Sequence, residues 1–407
     1  MKQNFDRLDR KGPTPVQNLR TTILVFVAGF AAVHSAHPLQ GQQQGPPAFD
    51  SVEVKGDRSV LFRIWAPNAS KVNLVSSDMP GSNPFGPGIE LSKHADGVWE
   101  TTTAPVAAGS YRYAFDVDGL TVTDPKNGAT SESNSNTWSL FSVPGSSVSD
   151  LQEVPQGAIS IWTYRSKSLG RSRRVHVYTP PGYEGSSGTY PVLYLLHGAM
   201  DSDASWSTVG RAGTVLDNLI AAGKAKPMIV VMPMGHTGPF TFGPGGNNFQ
   251  EQMSLFERDF AEDLRPAVEQ RYRITSGREN RAIAGLSMGG AQTLNIAIRN
   301  LSDYGYIGVF SSGVFGIEGT GFGANNTSPT WQEQHSAALQ DKEVRQGLKL
   351  VWFATGKDDF LLSTSRATVD MLKKHGFPVI FEETEGGHTW HNWRELYLPA
   401  FASRLFQ

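Results

Sequence analysis

The 407-residue chain contains no cysteine. That absence excludes disulfides, thiolate zinc sites and a cysteine nucleophile. Excess charge is equally scarce, since 36 Lys and Arg against 38 Asp and Glu leave a formal net charge of −2. No basic block offsets this balance, so nucleic acid is not an indicated partner. Helical periodicity is missing from residues 49–145, which reads against an all-α or uniformly α/β chain. The N-terminal apolar run Thr22 to Val33 falls short of the ~20 residues of a comfortable membrane span. What remains is a length and a hydrophobic content of 39% that suit two ordinary globular domains.

The N-terminus carries an address. Arg7, Arg10, Lys11 and Arg20 precede the apolar run, and Ser35-Ala36 follow it. A basic region, a short apolar core and a small-residue exit describe a secretory signal. Residues 1–36 are therefore predicted to be a signal peptide, with a secreted or periplasmic destination and no stable membrane association after cleavage near Ala36. An uncleaved anchor is the alternative. Residues 37–48, rich in Gln, Gly and Pro, read as a disordered leader.

Residues 49–146 show short alternating strands broken by Gly, Pro, Asn and Asp. Val60–Trp65, Val72–Val75, Tyr111–Asp116 and Trp138–Val143 are examples, and Asp118-Gly119 is a hairpin signal. The economical fold is a small β-sandwich. Trp65, Trp99 and Tyr113 either line a sugar-binding face or fill its core, and core is the commoner use. Residues 147–157 read as a linker.

From 158 to 407 strands and helices alternate, which predicts an α/β fold with a mostly parallel eight-stranded sheet covered on both faces. Within it, Ala282–Ala284 leads into Gly285-Leu286-Ser287-Met288-Gly289 and then a helix-competent stretch. That is the strand, sharp turn and helix of a nucleophile elbow, with Ser287 on the strained turn. A glycine-rich turn with an incidental serine is the bland reading of these five residues alone. A serine nucleophile needs a base, and the base an orienting acid. His388 lies in Glu385-Gly-Gly-His-Thr-Trp390, beyond the last strand, and Asp358 or Asp359 lies just past the strand Lys349–Ala354. The chain order of Ser287, Asp and His388 is that of an α/β-hydrolase. The apolar strand ending in His197-Gly198 supplies an oxyanion turn, whose donors are expected to be the amides of Ala199 and Met288. His197 itself reads as a structural histidine that bonds the loop backbone.

These motifs resemble the carbohydrate esterase family of feruloyl and acetyl xylan esterases, the esterase D-like α/β-hydrolases. The resemblance runs from about Val154 to the C-terminus through Val177–Tyr183, Pro191–Gly198, Arg281–Gly290 and Gly386–Trp390. It implies that the acid is the last residue of Gly356-Lys-Asp-Asp359, hence Asp359. The leading β domain looks like the Ig-like, glycogen-binding-type module often fused to such esterases, on Ile64–Asn68 and Val117–Gly119. The resemblance implies a serine carboxylesterase acting on feruloyl or acetyl esters of plant polysaccharide. An enterochelin-type siderophore esterase and a catalytically silent carbohydrate-binding protein are the alternatives.

Substrate contacts are expected on the Gly- and Pro-rich stretch 235–248, where Phe240 and Phe242 either stack on an aromatic acyl group or pack the loop. Trp390, beside the base, borders the pocket, whereas Trp206 packs. The acidic residues of Glu257–Arg265 read as a solvated helical face with internal pairs. No metal and no organic cofactor are indicated.

Overall fold

Eight strands from residue 158 onward assemble into one sheet, whose central strands are apolar on both faces. β1 (Ala158–Ser166), β2 (Arg171–Thr179), β3 (Val192–Leu196), β4 (Ile229–Pro233), β5 (Arg281–Leu286), β6 (Tyr306–Phe310), β7 (Leu350–Gly356) and β8 (Val379–Thr384) lie in the order β1-β2-β4-β3-β5-β6-β7-β8. The six strands β3 to β8 pair in parallel, while β2 runs antiparallel to both β1 and β4, so the sheet is mixed. The four residues between β1 and β2 explain the hairpin, because a parallel crossover needs a dozen or more. In β3, Val192, Tyr194 and Leu196 join the core on one face, with Phe256, Phe260 and Leu294. Leu193 and Leu195 join the other, with Trp206, Trp352, Trp390 and Phe401. A side-chain period of two sends alternate residues to opposite layers, so a continuous apolar run is the signature of a sheet covered twice.

The computed structural model describes residues 45, 47–80, 82, 86–240, 249–317 and 329–407. The predicted signal peptide and most of the leader, as well as Phe242, lie outside them. No helix among the described residues is long and apolar enough to cross a membrane.

The N-terminal strands form two antiparallel sheets. One pairs Val52–Val54, Val60–Trp65, Val98–Thr102 and Ser92–Lys93. The other pairs Ile89–Glu90, Val72–Val75, Gly109–Val117, Thr137–Val143 and Thr130–Glu132, with Leu120–Val122 added to Gly109–Val117. Phe62, Tyr111, Tyr113, Phe115 and Phe141 meet between the sheets. Trp99 and Tyr113 are buried in that core, and the Tyr113 hydroxyl donates to Asp124 at 2.6 Å. The sugar-face reading of these two aromatics is therefore replaced by packing, and Trp65 alone of the three stays half-exposed.

One helical expectation is corrected. The acidic face of Phe249–Asp259 and the wider π turn Phe260–Leu264 is not solvated throughout. Asp259 is fully buried, paired with Arg173 of β2 at 3.2 Å and accepting from the Tyr164 hydroxyl at 2.7 Å. The first hairpin supplies the cation and the donor that let a carboxylate go inside.

Candidate active site

Ser287 sits between the end of β5 and the helix Met288–Arg299 with φ 51° and ψ −120°. A non-glycine residue in that region costs on the order of 1–3 kcal/mol, and it persists only where its surroundings over-determine it. Here its N–H donates to the Phe310 carbonyl at 2.9 Å, and its carbonyl accepts from the Ser312 hydroxyl at 2.5 Å. Gly285 allows the turn to close, because a Cβ there would lie 2.3 Å from the backbone of Gly289. The small residues read as elbow punctuation thus have a steric reason.

Past β7, the carboxylate of Asp359 accepts from Nδ1 of His388 with both oxygens, each at 3.0 Å. The Leu361 amide donates to one of them at 2.9 Å. Burial by itself would raise this carboxyl. The His388 hydrogen bond and charge, the Leu361 amide and the Ser311 hydroxyl outweigh it and hold the group below the ordinary aspartate value. Asp358 is exposed and makes no such pair, so the geometry separates the two adjacent carboxylates. Because the proton bridging to an ionised carboxylate sits on Nδ1, the neutral ring keeps its lone pair on Nε2. Two rings fix the imidazole, Phe360 at 4.5 Å and Trp393 edge-on at 5.0 Å. The Trp393 indole N–H is itself anchored on Ser311 at 2.9 Å.

The turn after β3 is equally constrained. His197 is buried, its Nδ1 donates to the Gly198 carbonyl at 2.8 Å, and its Nε2 accepts from the Gly235 amide at 2.8 Å. Both nitrogens are thereby committed to backbone, and burial pushes its pKa down. The residue braces the turn as a neutral ring. Met288 begins its helix, so its amide has no intrahelical acceptor.

Ala199, Met288, Ser287, His388 and Trp390 all line one cavity of about 610 Å³. Its apolar walls come from Met200, Leu286, Phe315, Phe360, Leu361 and Trp393. Phe360 is 69% exposed despite its size. Trp390 is nearly buried yet borders the cavity, and Trp206 packs against it at 5.1 Å. Phe240 is not among the lining residues. It packs near His236 and Phe249, at 5.2 and 6.1 Å. The sequence reading missed Phe360, although it directly follows Asp359. It also missed Ser77, Asp78 and Arg112, three lining residues that belong to the β-sandwich. Arg112 left a trace, as a charge in the middle of the apolar strand Gly109–Val117. A charged side chain there demands a buried partner.

An elbow serine on a sheet of this order, opening on a cavity it shares with a carboxylate-held imidazole, defines the α/β-hydrolase class. Residues 166–403, more than half of the chain, match the family described as "Putative esterase", and the chain belongs to that esterase family. Residues 51–141 match carbohydrate-binding module 48, the isoamylase N-terminal domain. An endo-1,4-β-xylanase/feruloyl esterase of Xylanibacter ruminicola is 36% identical over 364 residues, which are 87% of this chain and 46% of that protein. The chain spans about half the length of the curated relatives it matches first. Among solved structures, a ferulic acid esterase from Anaeromyces mucronatus in complex with ferulic acid aligns with a TM-score of 0.56 and 24% identity, over 65% of this chain and 96% of that one. Enterochelin esterase from Shigella flexneri aligns with a TM-score of 0.60 and 16% identity, over 88% and 95%.

Proposed function

We propose that this protein is a secreted or periplasmic serine carboxylesterase that removes feruloyl or acetyl groups from plant cell-wall polysaccharide such as arabinoxylan. The observation that carries the chemistry is a strained Ser287 sharing one cavity with His388, whose Nδ1 is held by a buried Asp359. His388 takes the Ser287 proton as the hydroxyl oxygen attacks the ester carbonyl. Asp359 keeps the proton of the neutral ring on Nδ1 and stabilises the imidazolium. The Ala199 and Met288 amides donate to the oxyanion, the alcohol leaves with the proton from His388, and water then releases the acid.

Two things support the acyl preference. The cavity walls are aromatic and apolar beside the base, which suits a planar acyl group. The 36% identical relative, which matches both the module and the hydrolase part, is described as a xylanase/feruloyl esterase. The basic and apolar pattern of residues 7–36 supports export.

The test is a substrate panel of 4-nitrophenyl acetate, methyl ferulate, feruloylated arabinoxylan, acetylated xylan and a catechol siderophore ester. Cleavage of the xylan-type esters with the siderophore ester untouched is expected. The reverse preference would make it a siderophore esterase, and no hydrolysis of any ester would leave a binding protein on a hydrolase scaffold. In Ser287→Ala, turnover should fall by a factor of ~10⁴ or more.

A further inference from the structure

The β-sandwich reaches into the cavity, and one of its residues holds the oxyanion turn. Arg112 stands on the strand Gly109–Val117 and is 2% exposed. Its Nη1 donates to Asp201 Oδ1 at 2.7 Å, its Nη2 to the Ser205 hydroxyl at 2.7 Å, and its Nε to the Ser131 hydroxyl at 3.0 Å. Asp201 is the third residue after Gly198, on the turn that carries Ala199. Its other oxygen, Oδ2, accepts from the Gly198 amide at 3.2 Å, and its Oδ1 also accepts from the Trp390 indole at 3.3 Å. One carboxylate thus ties the sandwich arginine, the turn beside the nucleophile and the tryptophan two residues after the base.

Other contacts of the same segment repeat the pattern. Ser133 forms a β-bridge with Asp201, and the Glu132 carbonyl accepts from Ser202 and Ser205 at 3.2 and 3.3 Å. Asp203, two residues on, is held by His176 at 2.9 Å and by Arg174, which also pairs with Glu132. The segment 198–205 is therefore clasped between β2 and the sandwich strand Thr130–Glu132. A pure binding appendage tethered to a hydrolase would not need a fully desolvated charge aimed at the catalytic turn. Such a charge is costly unless each of its donors is used, and an ion pair of this kind is better explained by the geometry it imposes than by stability.

We infer that Arg112 is a positioning residue for catalysis. Through Asp201 it sets the Gly198–Ala199 backbone at the angle the developing oxyanion requires, and it fixes Trp390 as the cavity wall. Ser77 and Asp78, which also line the cavity, make the sandwich an integral side of the active site. The inference rests on the esterase reading and adds to it that the N-terminal module takes part in turnover of every ester, small soluble ones included.

The experiment compares the full chain with Arg112→Gln and Arg112→Lys on 4-nitrophenyl acetate, a substrate with no polysaccharide for the module to bind. Each is assayed well below its own melting temperature, and the rate of Ser287 labelling by a fluorophosphonate is measured alongside. Misplacing the turn by a fraction of an ångström should lower kcat of Arg112→Gln by roughly 10- to 100-fold while KM moves by no more than about twofold. Fluorophosphonate labelling should slow in step. Arg112→Lys, which keeps the charge but cannot bridge Asp201 and Ser205 together, should fall between the two. Should Arg112→Gln fail to fold, the lysine variant decides. A folded variant with wild-type kcat and labelling rate overturns the inference and leaves the esterase reading standing. A wild-type chain inert toward every ester in the panel overturns both.

Discussion

Asp359 is the residue on which the site's electrostatics turn. Its side chain is shut off from solvent yet charged, because an imidazole N–H and a backbone amide replace the lost water. Asp359→Asn keeps the shape but reverses the donor logic at Nδ1, which turns the imidazole toward the wrong tautomer. It should fold normally, by circular dichroism, while kcat drops by roughly 10⁴. The depressed aspartate contributes stability above its unfolded pKa near 3.9 and loses that contribution as pH falls through its lower folded value. The buried histidines act earlier on the acid side. Burial, reinforced by the neighbouring His197 and only partly offset by a hydrogen bond to the Ala199 backbone, pushes His236 down to about 3. The unfolded chain therefore binds a proton at His236 from about pH 6.5 downward that the folded protein refuses until about pH 3. Stability should fall by up to ~1.4 kcal/mol per pH unit from this group alone as pH drops through that window. Melting curves between pH 8 and pH 4 should show the decline, and His236→Phe should flatten it. His197, His335 and His391, all likewise depressed by burial, add to the slope.

Single elements carry most of what could be read from the chain. The strands Val192–Leu196 and Tyr306–Phe310 fall on apolar runs between turn residues, and the helix after the elbow begins at Met288, directly after the serine. Buried parallel strands are short apolar stretches, and that signal is local. Strand direction is not local, so the antiparallel run of β2 went unread, even though the four-residue connection from β1 was available as a clue. The π turns Phe260–Leu264 and Asn392–Tyr397 were also invisible, since an i to i+5 pattern follows from packing and leaves no compositional mark. At the elbow, the approach of β5 to the following helix leaves no room for a methyl group at Gly285. Gly285→Ala should therefore destabilise the fold by about 1–3 kcal/mol in urea titration and move Ser287 enough to depress kcat. A loss of stability with kcat untouched would show that the elbow can shift without consequence.

On the scale of the whole molecule, the β-sandwich and the hydrolase sheet share buried polar contacts. Arg394, fully buried, donates to carbonyls of Ser110 in the sandwich and Val209 in the hydrolase part, at 2.8 and 2.9 Å. Glu395 accepts from Ser146 and Ser149 at 2.6 and 2.7 Å, so the segment read as a linker is fastened to the hydrolase part at Ser149. The hydrolase part should not tolerate removal of residues 49–157, because Asp201 would lose its ion pair with Arg112 and Arg394 would lose the Ser110 carbonyl. Losing one member of a buried ion pair costs about 3–5 kcal/mol. Residues 158–407 expressed alone should melt well below the full chain and bind a hydrophobic dye, and a soluble, fully active fragment would refute the point. That Ser287 on its tight turn, a carboxylate past β7 and His388 on its glycine loop would lie near one another was legible because each of these local features needs particular neighbours in sequence, whereas the choice of Asp359 over Asp358 came from the family resemblance and the geometry. Local sterics and strand–turn chemistry write those neighbours into the chain. Arg112, Ser77 and Asp78 became site residues only through tertiary structure. Their meeting with Asp201 depends on how the β-sandwich docks on the hydrolase sheet, and docking is decided by surfaces assembled from residues about ninety positions apart.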